Sequence, residues 1–179
     1  MKRYVFYFMT WLLVMMGAPN TVSAIDIIFG PKDMGNVIPW WGAMYEEMTY
    51  QQLYMQTDIG MSGEITNFAW ENYSSSTDAG FSNVRIYMGH TSLSTLTTVF
   101  NDNYTSPPVL VLDNPVFSTG GPVDTWNNIN LDTPFDYNNT DNLIIEVRWS
   151  GDDGHNVTLW YSRWTGHEIE NISFHFHHP

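Results

Sequence analysis

Apolar residues along this chain recur mostly at every second position. In "NVRIYMG" Val84, Ile86 and Met88 share one face. In "LIIEVRW" Leu143, Ile145, Val147 and Trp149 do, leaving Glu146 and Arg148 on the other. In "VTLWYSR" Val157, Leu159 and Tyr161 line one face and Trp160 turns away from it. This is the period of a strand, whose side chains alternate between two faces. "PVLVLDNPVF", "TWNNINLD" and "IENISFHF" extend the set, and in the last Ile172, Phe174 and Phe176 oppose Ser173, His175 and His177. "MYEEMTYQQLYMQ" is the best helix candidate, although its aromatics suit a strand equally well. Between these runs lie "SSSTDAG", "NDNYTSPP", "STGGP", "DYNNTDN" and "SGDDGHN", all turn chemistry. About eight to ten strands at this spacing predict an all-β fold, a single jelly-roll-like antiparallel β-sandwich. Its expected core contains Val84, Ile86, Leu143, Ile145, Val147, Leu159, Phe174 and Phe176.

The first 24 residues break the pattern. Lys2 and Arg3 precede a mostly apolar run from Val5 to Gly17, and "VSA" at Val22–Ala24 is a small-residue cleavage signal. This is the layout of a secretory signal peptide rather than a membrane anchor, so residues 25–179 are expected to form one secreted domain, extracellular or at the cell surface. Losing Lys2 and Arg3 takes the net charge from −13 to −15, with only Lys32, Arg85, Arg148 and Arg163 left against 19 acids. Such a surface repels nucleic acid and anionic lipid and attracts cations. There is no cysteine, so the fold is held by packing, for which 8 Trp, 10 Tyr and 10 Phe supply the material.

Three stretches carry a resemblance: "YQQLYMQTDIG…GEITNFAWEN", "FSNVRIYMGHTSLSTLTTVFNDNYT" and "LDTPFDYNNTDNLIIEV". From Tyr50 to Trp149 the chain resembles a β-sandwich module of secreted surface and secretion-system cargo proteins of Bacteroidota and related bacteria. The resemblance implies a jelly-roll-like sandwich on the cell exterior and carries over no catalytic residue. Such modules are usually appended to larger proteins, whereas this one is expected to stand alone.

No catalytic pattern is legible. "GMSGE" falls one residue short of G-x-S-x-G, and in "HEIEN" Asn171 stands where a zinc site needs its second histidine. Adjacent acids such as Glu46/Glu47 point to opposite faces of a strand, poor geometry for a glycosidase pair. The chain is therefore read as non-enzymatic. A structural Ca2+ is the one cofactor suggested: Asp152, Asp153 and Asn156 in "SGDDGHN", Asp102 in "NDN" and Asp141 in "NTDN" cluster hard oxygen donors, although Asx-rich turns form without metal. His175 and His177, about 6–7 Å apart on one strand face, have the spacing for Zn2+ or Cu2+ given a third ligand. Trp40, Trp41 and Trp160 could make a stacking platform for surface glycans, except that neighbouring tryptophans on a strand face opposite ways. Asn72, Asn103, Asn138, Asn156 and Asn171 begin N-x-S/T glycosylation sequons.

What remains points to a structural protein that pairs strands with copies of itself into a filament, tube or surface layer. The alternative is a carbohydrate- or surface-binding adhesive module. The expected assembly strand is the N-terminal "IDIIFG", with Ile25, Ile27 and Phe29 on one face, donated to a neighbour. The C-terminal strand is expected to complete its own subunit's sheet through Phe174 and Phe176.

Overall fold

The alternating segments pair in a nested order, the first with the last and so on inward. The structure, a computed structural model, describes residues 23–28, 34–164, 167–170 and 172–178. Its strands are β1 (Ser23–Ile28), β2 (Met34–Asn36), β3 (Glu47–Tyr54), β4 (Gly63–Glu71), β5 (Ser76–Thr91), β6 (Val109–Gly121), β7 (Trp126–Tyr137), β8 (Asn142–Ser150), β9 (Leu159–Trp164), β10 (His167–Glu170) and β11 (Ile172–His178). A single helical turn, α1 (Gln56–Ile59), follows β3 and stops at Gly60, whose φ of 72° is the left-handed cap that glycine adopts without strain. The helix candidate "MYEEMTYQQLYMQ" is thus mostly strand: β3 lies antiparallel to β8, with Tyr54 opposite Leu143 and buried. The expected cleavage after Ala24 would fall two residues into β1.

Eight of the strands form one long antiparallel ribbon. Ser23 is opposite His178, Glu47 opposite Ser150, Gly63 opposite Tyr137 and Ser76 opposite Gly121. The ribbon then rolls up, so that β11 also pairs with β4 and β8 with β5. The outcome is two four-stranded antiparallel sheets, β1-β11-β4-β7 and β3-β8-β5-β6. This is a jelly-roll order, the fold class that the period-two pattern predicts. A small third sheet, β10-β9-β2, brings β10 near β3 and β9 near β4. That leaves β1 as the outermost strand of the first sheet, with no described strand on its far side. Among the described residues no helix is long and apolar enough to cross a membrane.

The two sheets bury one continuous core between them. All eight residues expected there are buried: seven alternate along β5, β8 and β11 toward the opposite sheet, and Leu159 is at the start of β9. One end is aromatic: Trp40 stacks on Phe117 (centroids 5.0 Å apart, 19° between planes) and meets Trp70 edge-on at 5.3 Å. The other end holds Tyr54 edge-on to Phe174 at 5.3 Å, with Phe176 beyond. In a chain without disulfides these ring contacts, each about 0.5–1.5 kcal/mol beyond burial, are the cross-links.

Candidate functional site

The ribbon reverses at residues 92–108, and this tip lies back across the outer face of the second sheet. Gly89 makes room for it, since a Cβ there would stand 2.5 Å from Cδ1 of Tyr104. Beneath the tip is a buried polar network. Asn103 accepts from the Thr97 N–H and hydroxyl, both at 2.8 Å, and donates to Gln51 Oε1 at 2.7 Å. Gln51 donates to Glu146 Oε2 at 2.6 Å, and the Tyr104 hydroxyl donates to the same oxygen at 2.9 Å. The other oxygen, Oε1, is held by Nε and Nη2 of Arg148. Glu146 is fully buried, and a buried carboxylate is tolerated only with such partners. Burial, then the charge of Glu146, push the Tyr104 hydroxyl far above the ordinary tyrosine range, so it stays a donor.

Next to the network the outer face opens into a cleft of about 380 Å3. Along its floor runs a cross-strand row, Thr49, Arg148 and Arg85, which Asp113 of β6 continues beyond the cleft. The guanidinium of Arg148 lies 4.7 Å from the centroid of the Tyr87 ring, and Arg85 Nε sits 3.5 Å from Asp113 Oδ1. Glu47, Ser150 and Asn83 form the next row, where Asn83 donates to the Ser150 hydroxyl at 3.1 Å. Asn83 has a φ of 53°, in the left-handed region that asparagine tolerates better than most residues.

The residues singled out from the sequence are dispersed. Trp40 corrects the glycan platform: it lies between β2 and β3, outside any strand, and is fully buried, stacked on Phe117 and edge-on to Trp70. Trp41 is half-buried and edge-on to Tyr45, and the Trp160 side chain lies outside the described residues. Of the expected calcium donors, Asp152 and Asp153 sit in Asx turns and the others are held or placed apart from them. Asp152 accepts from the Gly154 N–H at 2.6 Å, and Asn156 accepts from the Ala43 N–H at 2.9 Å. Asp153 accepts from the N–H groups of Gly80 at 2.8 Å and His155 at 3.1 Å. Burial nudges the Asp153 carboxyl up, but these donors and the His155 ring outweigh it and hold the group below the usual carboxylate range. Asp141 accepts from the Asn138 amide at 2.8 Å, and Asp102 is exposed on the ribbon tip. Among the described residues no three His, Asp or Glu side chains gather as a metal would require.

His175 faces outward from β11, as the pattern predicts, and its Nδ1 is 2.7 Å from Asp26 Oδ1 on β1. The His177 side chain lies outside the described residues. Two sequons are corrected: Asn72 and Asn103 are buried and engaged through their own amides, so neither is open to a glycan in the folded protein. Asn72 fastens the β6–β7 turn by donating to the Pro122 carbonyl and accepting from Asn127 at 2.8 Å. Asn138 is exposed, Asn156 half-buried, and Asn171 outside the described residues. The expected donation of the N-terminal strand also changes form: within the single chain β1 pairs with its own β11, Ile25 opposite Phe176 and Ile27 opposite Phe174. The apolar face of β1 matches the edge nearest to hand, as chain termini usually do. Phe29 lies outside the described residues.

His90, near the ribbon tip, is a feature the sequence did not mark. Its Nε2 accepts from the Asn138 N–H at 3.2 Å, and its ring stacks at 5.7 Å on Tyr137. Burial lowers its pKa, with Asp141 and Asp136 opposing. Folding thus favours neutral His90, and protonation removes an acceptor. The unfolded chain binds this proton first, so the contribution to stability is present above about pH 6.5 and is lost as pH falls from there through the folded value. The melting temperature of wild type is expected to drop more between pH 7 and 5 than that of His90→Gln. Equal drops would remove His90 from the pH dependence.

Compared with known protein families, curated proteins and solved structures, the chain matches none.

Proposed function

We propose that the chain is a secreted, non-enzymatic structural subunit that assembles with copies of itself by exchanging β1. The observation that carries this is the position of β1. Among the described strands it pairs only with β11, its far edge is open among the described residues, and although Ile27 packs on the core, Ile25 and Ile28 are 42% and 62% exposed. An exposed apolar edge strand is a pairing template. The strand β11, by contrast, lies between β1 and β4 and pairs on both sides. A neighbour's β1 offers the same six-residue register and the same Asp26–His175 contact. Exchange in one direction is a heterologous contact, and its repetition gives an open filament.

The chain's own strand competes at an effective concentration on the order of mM for a short tether, so polymerisation is expected to rise steeply with protein concentration. Deleting residues 25–30 should leave a folded sandwich that stays monomeric in electron micrographs and sizing columns. Polymers at wild-type yield from the deleted chain would sink the exchange. A second reading, an adhesive module for carbohydrate or another surface component, is favoured by the polar cleft over Arg85 and Arg148.

A further inference from the structure

We infer that the cleft over Arg85 and Arg148 is a binding site for a carboxylate on a hydroxylated ring, a uronate residue of an acidic polysaccharide. The inference deepens the adhesive reading and does not depend on strand exchange.

Three observations support it. The first is where the positive charge sits. The chain has 6 Lys and Arg against 19 Asp and Glu, yet two of those six face each other directly across β5 and β8. Like charges placed so are destabilising on a sheet. Their own acids meet them from the side and from below: Asp113 approaches Arg85 Nε at 3.5 Å with both side chains more than half exposed, and buried Glu146 takes Nε and Nη2 of Arg148, whose side chain is still 42% exposed. An anion above the rung would meet the fork of Arg85 and the exposed part of the Arg148 guanidinium, charged N–H donors that suit a carboxylate.

The second is preorganisation. Arg148 is fixed from two sides, by Glu146 and by the face of Tyr87, so little side-chain freedom remains to be lost on binding. The third is size and lining. About 380 Å3 exceeds the space a lone ion fills, and Thr49, Ser150 and Asn83 edge the cleft with hydroxyl and amide groups of the kind that ring hydroxyls pair with. Glu47 at the rim would oppose a second negative charge close to the first. That favours a singly charged sugar acid over a densely sulfated one.

The test is a titration of the full chain with galacturonate, its neutral methyl ester, glucose and sulfate, followed by backbone amide NMR shifts. Working near 0.15 M salt, where charges beyond about 8 Å are screened, separates the local arginines from the acidic remainder. The expected result is saturable shifts at Thr49, Asn83, Arg85 and Arg148 with galacturonate, at least about tenfold weaker with the ester and with Arg85→Gln. Arg85 is a surface residue, so R85Q should keep the wild-type melting temperature. Oligogalacturonate should shift the same amides, and if only the free sugar acid does so the polysaccharide assignment fails. Equal binding of ester and acid, equal binding of sulfate, or no saturable shift up to about 10 mM would each overturn the inference. So would loss of self-association in R85Q, which would give the arginines to a carboxylate of a second copy. The deletion of residues 25–30 leaves this cleft intact, so failure of strand exchange and failure of uronate binding are read separately.

Discussion

Phe174→Ala is expected to lower the free energy of unfolding by roughly 3–5 kcal/mol. The side chain is fully buried, edge-on to Tyr54 from the second sheet and beside Phe176 on its own strand. It also lies between Ile27 on β1 and Phe68 on β4 in the two ladders that flank β11. Four elements therefore line the hole that truncation would leave, and a hole walled by sheets collapses poorly. Urea denaturation measures the loss. The neighbour His175, outward and paired with exposed Asp26, is the control: His175→Ala should cost less than about 1 kcal/mol. A loss below about 0.5 kcal/mol for Phe174→Ala would mean that β11 does not lie between the sheets as described.

Arg148→Met comes next, at roughly 2–3 kcal/mol. Removing one member of a buried pair strands the other, and Glu146 is fully buried. The figure sits below the full penalty for an orphaned charge for two reasons. Gln51 and Tyr104 still donate to the carboxylate, and the Arg148 side chain is 42% exposed, so water already screens part of the pair. The loss should shrink by at least about half when Glu146→Gln accompanies it, because the double variant no longer buries an unpaired charge. A thermodynamic cycle over the four proteins should then show about 1–3 kcal/mol of coupling. Purely additive losses would show that the arginine stabilises by packing on Tyr87 alone.

These two positions also show what the sequence could and could not tell. Phe174 belongs to a strict alternation, and alternation reports directly which face of a strand is apolar, so the core of β5, β8 and β11 was readable. Glu146 and Arg148 were readable as members of the opposite face. What the pattern could not report is that this face is roofed. The roof, residues 92–108, is written in Ser, Thr, Asn and Pro, the composition of a solvated turn, and nothing local says which surface such a turn covers. Asn103 was misplaced for the same reason, as a glycan acceptor in a loop instead of the hub of a buried network. Trp40 fails differently: "PWWG" states that one of two tryptophans faces inward without saying which. The cleft escaped notice because Arg85 and Arg148 lie 63 positions apart and meet only through the β5–β8 register. Period two assigns faces; partners come from the rolled ribbon.

The nesting of that ribbon also orders the birth of the fold. Its innermost rung, Met88 with Val109, closes the shortest loop, whereas its outermost joins residues 23–28 to 173–178 across nearly the whole chain. Loop-closure entropy makes the inner rungs early and the outer one late, and so non-local a ladder folds slowly. The strand β11 moreover follows every other described strand in the chain, yet it belongs inside the first sheet and not at its margin. Until it arrives, β4 presents an unfilled edge lined by Phe68 and Ile65, and no amount of correct folding upstream can cover it. Each molecule therefore passes through a stage with a strand-shaped vacancy at its seam, and crowding at that stage decides whether the slot is filled by its own tail or by another chain's.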